Sequence, residues 1–139
     1  MSSLPSFLIA GSAAIILLLG LLHLLYTFSG PKLLPRDREL QVRMQEVSPV
    51  LTRQTTMWKA WVGFNASHSF GAILFGAVYG YLSLVHSAFL FRSTFLVLLG
   101  LVLLLGYVFL GKRYWFSIPF RGILAAISLY VLAILAAWA

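Results

Sequence analysis

Met57 to Tyr81 reads MWKAWVGFNASHSFGAILFGAVYGY, and its reading decides the fold. From Ala60 to Val85 the chain carries no charged residue. Roughly 20 apolar residues in a helix cross about 30 Å of hydrocarbon, so this segment is long enough to span a bilayer. Three further runs without charge follow the same rule: Phe7 to Phe28, Ser93 to Gly111 and Gly122 to Ala139. The composition agrees, with 61% hydrophobic and only 9% charged residues, against about a quarter charged in soluble domains. The expectation is a single all-α domain over residues 1–139, an integral membrane four-helix up-down bundle. Its spans fall at about 7–29, 57–85, 92–111 and 116–138. Met1 to Ser6 lacks the basic residue that opens a secretory leader, so the first run is expected to stay as a span.

Basic residues set the expected orientation. Lys32, Arg36, Arg38, Arg43, Arg53 and Lys59 cluster around the connection 30–56, Lys112 and Arg113 follow the third run, and only Arg92 lies on the other side. The positive-inside bias then makes the first and third connections cytoplasmic and puts both termini outside. The same flanking positions account for the net charge of +7 through anionic head groups and topology. Nucleic acid is therefore not an expected partner, whereas membrane lipids are, with a homo-oligomer or a larger membrane complex as further possibilities.

Within the connection, Pro31 and Pro35 end the first helix, and Asp37 suits an N-cap. Leu40, Met44, Val47 and Leu51 then recur at helical spacing, which predicts a short amphipathic helix on the membrane surface. Ser48-Pro49 reads as the start of a further helix that continues into the second span. Trp58 and Trp61 suit the head-group level, and Tyr79, Tyr81 and Tyr130 suit an aromatic belt at the opposite interface. His86 to Arg92 reads as a tight external turn with a solvated histidine, and Ser117 with Pro119 as the start of the fourth helix.

The second span holds two ladders of small residues, Gly63-Ser67-Gly71 and Ala72-Gly76-Gly80. Such spacing lets helix backbones approach, a main source of packing energy in lipid. Trp61, Asn65, His68, Ala72, Phe75 and Tyr79 fall along one stripe of the same helix, so Asn65 and His68 face one neighbour. In hydrocarbon both need partners. His23, at about 10 Å from the expected cytoplasmic end of the first span, and His68, at about 13 Å, lie at similar depth by helical rise. Tyr26, Tyr107 and Arg121 fall on the same side. The candidate ligand-binding set is therefore His23, Tyr26, Asn65, His68, Tyr107 and Arg121, with Gly63, Ser67, Gly71, Gly76 and Gly80 as packing positions.

Chemistry is limited by what is missing. The chain has no cysteine, and its three acids, Asp37, Glu39 and Glu46, all sit in the connection. Thiolate sites, carboxylate di-iron centres and a Ser-His-Asp triad inside the membrane are excluded. Ser67 and Ser69 do not face His68, because neighbours in a helix diverge. Each candidate also has a bland reading: a hydrogen-bonded histidine between helices, and an Arg121 that extends to the interface. The expected function is non-enzymatic: binding of a lipid-like ligand in the cytoplasmic leaflet, or service as a subunit of a membrane complex. The alternative is a haem protein or histidine-dependent enzyme built on His23 and His68.

The run Met57 to Tyr81, preceded by HLLYTF (His23 to Phe28) and followed by RYWFSIPFRG (Arg113 to Gly122), resembles a group of small bacterial four-helix membrane proteins of unknown function. That resemblance implies the fold and a bacterial inner membrane, and it brings no activity or cofactor. Families with sterol-isomerase-like chemistry use acids inside their spans, and quinone-coupled thiol enzymes use cysteines; this chain has neither.

Overall fold

The computed structural model describes residues 3–138, which form α-helices joined by short irregular segments. Met1, Ser2 and Ala139, which the readings of the leader and of the last apolar run include, lie outside the described residues. The helices are α1 (Ser3–Phe28), α2 (Arg38–Glu46), α3 (Met57–Val85), α4 (Ser87–Arg92), α5 (Thr94–Tyr114) and α6 (Ser117–Trp138). α1, α3, α5 and α6 are each long and apolar enough to cross a membrane. The chain is thus all-α and multi-pass, as its apolar runs predict.

Local chemistry explains the helix boundaries. α1 ends where Ser29 N–H closes on the Leu25 carbonyl and Gly30 takes φ 81, ahead of Pro31. A side chain there would strain the left-handed backbone, which glycine adopts freely. Asp37 caps α2 as expected, accepting from the backbone N–H of Glu39 (2.9 Å) and Leu40 (3.3 Å).

The expected helix start at Ser48-Pro49 is not found. α3 begins only at Met57, and residues 48–56 form a closed loop instead. Met57 N–H donates to the Val47 carbonyl at 2.8 Å, and Thr52 N–H donates to the Pro49 carbonyl at 3.2 Å. Thr52 Oγ1 accepts from Gln54 N–H, and Thr56 Oγ1 accepts from Lys59 N–H to cap α3. Short hydroxyl side chains that bond nearby backbone compete with helix, and those of Thr52 and Thr56 prevail here over the Ser-Pro signal. Leu51 therefore lies on the loop and not on the apolar face of α2. The expected external turn is likewise a short helix, α4, with Leu90 buried; Ser93 ends it and caps α5 by accepting from Leu96 N–H.

The chain divides into two compact units, one running up to Leu19 and resuming at Ala72, the other spanning Gly20–Gly71. In the first unit, parts of all four long helices pack around Ile9, Ala13, Ile16, Ala72, Phe75, Tyr79, Leu104, Ile123, Ala126 and Tyr130. Pairings of early with late residues give the helix directions. A Cβ at Gly76 would meet Ala13 and Leu17, one at Gly11 would meet Leu129, and one at Gly122 would meet Leu19. α1 therefore runs antiparallel to α3 and to α6. Gly111 meets Phe120 and Ile123, while Tyr130 bonds to Val97 and Tyr79 to Leu96, so α5 is antiparallel to α6 and to α3. This is an up-down bundle within the unit.

Tyr79 and Tyr130 are not belt residues. Both are buried in this core, at 3% and 0% exposure. Their hydroxyls donate to the first-turn carbonyls of α5, Tyr79 to Leu96 (2.7 Å) and Tyr130 to Val97 (3.0 Å). A tyrosine inside lipid-embedded structure needs such a partner, and Gly100 leaves the space for both rings. Tyr81 remains exposed, and its hydroxyl lies 3.2 Å from His86 Nε2.

Candidate functional site

The second unit, Gly20–Gly71, holds the last turns of α1, the connection with α2, and the first half of α3. Here the polar residues of Met57 to Tyr81 find their partners, and most find them on their own helix. Ser67 Oγ donates to the Phe64 carbonyl and Ser69 Oγ to the Asn65 carbonyl. Asn65 Nδ2 donates to the Trp61 carbonyl at 2.8 Å. Thr27 Oγ1 on α1 does the same with the His23 carbonyl. Polar atoms satisfied by backbone one turn back need no other span, which is how a helix carries them through lipid.

Asn65 also bonds across to α1. Asn65 Oδ1 lies 3.0 Å from His23 Nε2. Because the Asn65 amide nitrogen is committed to Trp61, the oxygen must face the ring, and His23 donates through Nε2–H. His68 packs its ring edge-on against His23, with centroids 5.4 Å apart and planes at 87°. The two histidines expected at one depth thus do meet, and Asn65 joins them. All three are half-buried.

Beside this cluster lies a cavity of about 10 Å³, lined by Tyr26, Thr27, Gly30, Leu33, Leu34, Trp58, Trp61, Val62 and Asn65. That volume holds about one water molecule. The connection folds over it: Trp61 Nε1–H donates to the Leu33 carbonyl at 3.2 Å, and Lys32 Nζ sits 3.8 Å from the Tyr26 ring centroid. A cation over a tyrosine face is attracted by the ring quadrupole. Sequence reasoning placed the tryptophans at the head groups and missed this clamp. The available signal was the apolar pair Leu33-Leu34 between two prolines in an otherwise polar connection.

Tyr107 and Arg121 belong to the other unit. Tyr107 packs partly buried against its core, and Arg121 is exposed near the start of α6. The packing positions divide too. Gly76 is buried against Ala13 and Leu17, and Gly80 faces Ala13. Gly63, Ser67 and Gly71 are exposed, and a Cβ at Gly63 would meet nothing within 4 Å.

The arrangement constrains the chemistry. A haem held by two imidazoles separates the rings by a porphyrin and takes one nitrogen from each. Here the rings are in edge contact, and His23 Nε2 is engaged with Asn65. The pair as it stands does not fit that role. No group of three or more histidine or acidic side chains suited to a metal ion occurs among the described residues. Both serine hydroxyls beside His68 are donors to carbonyls, not to a base. What the site offers is an oriented, acid-free set of donors and acceptors under two tryptophans. Comparison with models of known protein families, with characterised proteins and with solved structures finds no match.

Proposed function

We propose that this chain is a non-enzymatic multi-pass protein of a bacterial inner membrane that holds an amphiphilic, lipid-like ligand at the His23–Asn65–His68 cluster. The first connection would lie on the cytoplasmic side and both termini outside, in line with the basic residues at 32–59. The observation that carries the reading is the bond between His23 and Asn65 beside the Trp58–Trp61 cavity. A half-buried polar cluster in a span segment is costly unless satisfied, and it marks ligand paths more often than packing alone requires. Since the cavity itself takes only a water-sized group, the head group of such a ligand sits at its mouth, near Tyr26, Trp61 and Lys32. The tails lie along outward apolar side chains of the same unit, such as Leu25 and Phe64, which are 54% and 79% exposed.

The test is mass spectrometry of what accompanies the protein purified in mild detergent. The expected result is a bound amphiphile that is lost in Asn65→Ala and in His23→Ala while the helical circular dichroism is kept. A ligand-free protein recovered with one constant protein partner would overturn the reading in favour of a subunit role. A Soret band lost in His23→Ala and His68→Ala would overturn it in favour of haem.

A further inference from the structure

The loop between α2 and α3 presents two aliphatic side chains at its tip with no cover. Val50 is 109% exposed and Leu51 93%, the highest values among the exposed large hydrophobic residues. The loop is not slack: the Met57–Val47 backbone bond closes its base, and the Thr52 and Thr56 hydroxyls fix its turns. A closed base also limits its reach. Leu51 lies within roughly 20 Å of the first residue of α3, given about 3.4 Å per extended residue. It is therefore held close to the interface at which α1 ends and α3 begins. Val47 and, on α2, Leu40 and Val42 are exposed as well, and no residue of α2 is buried.

Charge identifies the occupant. Lys32, Arg36, Arg38, Arg43, Arg53 and Lys59 are all exposed in this region, against Asp37, Glu39 and Glu46. Asp37 is used in the cap of α2, and Glu46 pairs with Arg43 at 3.3 Å. The uncompensated charge is basic, and each Lys or Arg near an anionic leaflet adds attraction within a Debye length. A second copy of this loop would bring like charge to like charge. We infer that the Val47–Met57 loop is a membrane-insertion tip: Val50 and Leu51 enter the leaflet beside the α1 and α3 ends, and the surrounding arginines and lysines select anionic phospholipid there. This inference does not depend on a ligand at the His23–Asn65–His68 cluster.

The chain has no cysteine, so a single probe can be placed cleanly. Leu51→Cys carrying an environment-sensitive fluorophore is reconstituted, in the full chain, into phosphatidylcholine vesicles with and without phosphatidylglycerol. Gln45→Cys on α2 serves as an exposed reference. The expected result is a blue-shifted emission at position 51 with phosphatidylglycerol, quenching by doxyl-labelled lipid, and loss of quenching by aqueous iodide. The triple variant Arg36→Gln, Arg38→Gln, Arg53→Gln should abolish that shift while far-ultraviolet circular dichroism is unchanged. A position 51 probe as open to iodide as the reference in both vesicle types overturns the inference. So does burial that is equal in neutral vesicles, or burial that fades when the protein is diluted with lipid, since the latter marks contact between copies.

Discussion

Ala72-Gly76-Gly80 and Gly63-Ser67-Gly71 are the same pattern on one helix, and they have opposite fates. The inner ladder, Ala72-Gly76-Gly80, is in contact with α1, so close that a methyl at Gly76 would lie 2.8 Å from the backbone oxygen of Ala13. The outer ladder, Gly63-Ser67-Gly71, is exposed, with open space over Gly63. Small residues at intervals of four permit two backbones to approach; they do not choose a neighbour. The choice is made by the rest of the helix face. Ala72 and Gly76 share theirs with Phe75 and Tyr79, whose rings stack with centroids 4.6 Å apart in the core. Gly63 and Ser67 share theirs with Phe64 and Phe70, at 79% and 61% exposure, which suit lipid.

The largest effect follows from the inner ladder. Gly76→Ala must displace α1 backbone, since Leu17 Cα and the Ala13 oxygen both lie 2.8 Å from the added carbon. Overpacking against atoms that cannot rotate away costs about 1–3 kcal/mol, and the propensity gain of alanine offsets only part. Unfolding in mixed detergent with sodium dodecyl sulfate, followed by circular dichroism, should show the lowest midpoint of any single glycine-to-alanine change. An unchanged midpoint would mean that α1 and α3 separate readily there.

Gly100→Ala comes next, because the added methyl would run into the Tyr130 hydroxyl and the Tyr79 ring. Here a side chain can yield. Tyr130→Phe alone forfeits the bond to Val97, at about 0.5–1.5 kcal/mol. In the Gly100→Ala background the same change removes an obstacle, so the double variant should be less unstable than the two single losses added together. Strict additivity would show that Tyr130 and Gly100 do not share this space.

Much of this was legible. Four spans, the Asp37 cap and the meeting of His23 with His68 follow from run lengths, cap chemistry and helical rise. The burial of Tyr79 and Tyr130 was not, because it depends on Gly100 of another helix, and no local pattern records a pairing that distant. The start of α3 was misplaced for a different reason: Ser48-Pro49 competes with Thr52 and Thr56, and sequence does not rank such local bonds. Of the site, the stripe through Asn65 and His68 could be read off α3 alone. The closure of Trp61 onto Leu33 required the path of the whole connection.

A smaller loss is expected in the unit that holds the outer ladder. Asn65→Leu removes the acceptor of His23 Nε2–H, leaving a half-buried donor without that partner. Interhelical polar pairs of this kind contribute about 0.6 kcal/mol on average, up to about 1.7. His23→Phe should lose less on top of Asn65→Leu than on its own, and the difference measures the pair. Equal losses in both backgrounds would show that the bond carries no coupling.

The smallest effect has the opposite sign, and it separates the two ladders most sharply. Gly63→Ala adds a methyl where nothing lies within 4 Å and removes a glycine from a helix interior. The propensity difference favours alanine by up to about 1 kcal/mol. The variant should therefore unfold at the same midpoint or slightly higher, where Gly76→Ala unfolds far lower. The same substitution reports on assembly, because Ser67 and Gly71 line the same open strip. If Gly63→Ala lowered the midpoint, and did so only at high protein-to-lipid ratio, the strip would be covered by a second chain. Both ladders would then be packing surfaces, one within the molecule and one between copies. An unchanged or raised midpoint at every ratio leaves the outer ladder facing lipid, and confines close backbone contact to Gly76 and its neighbours.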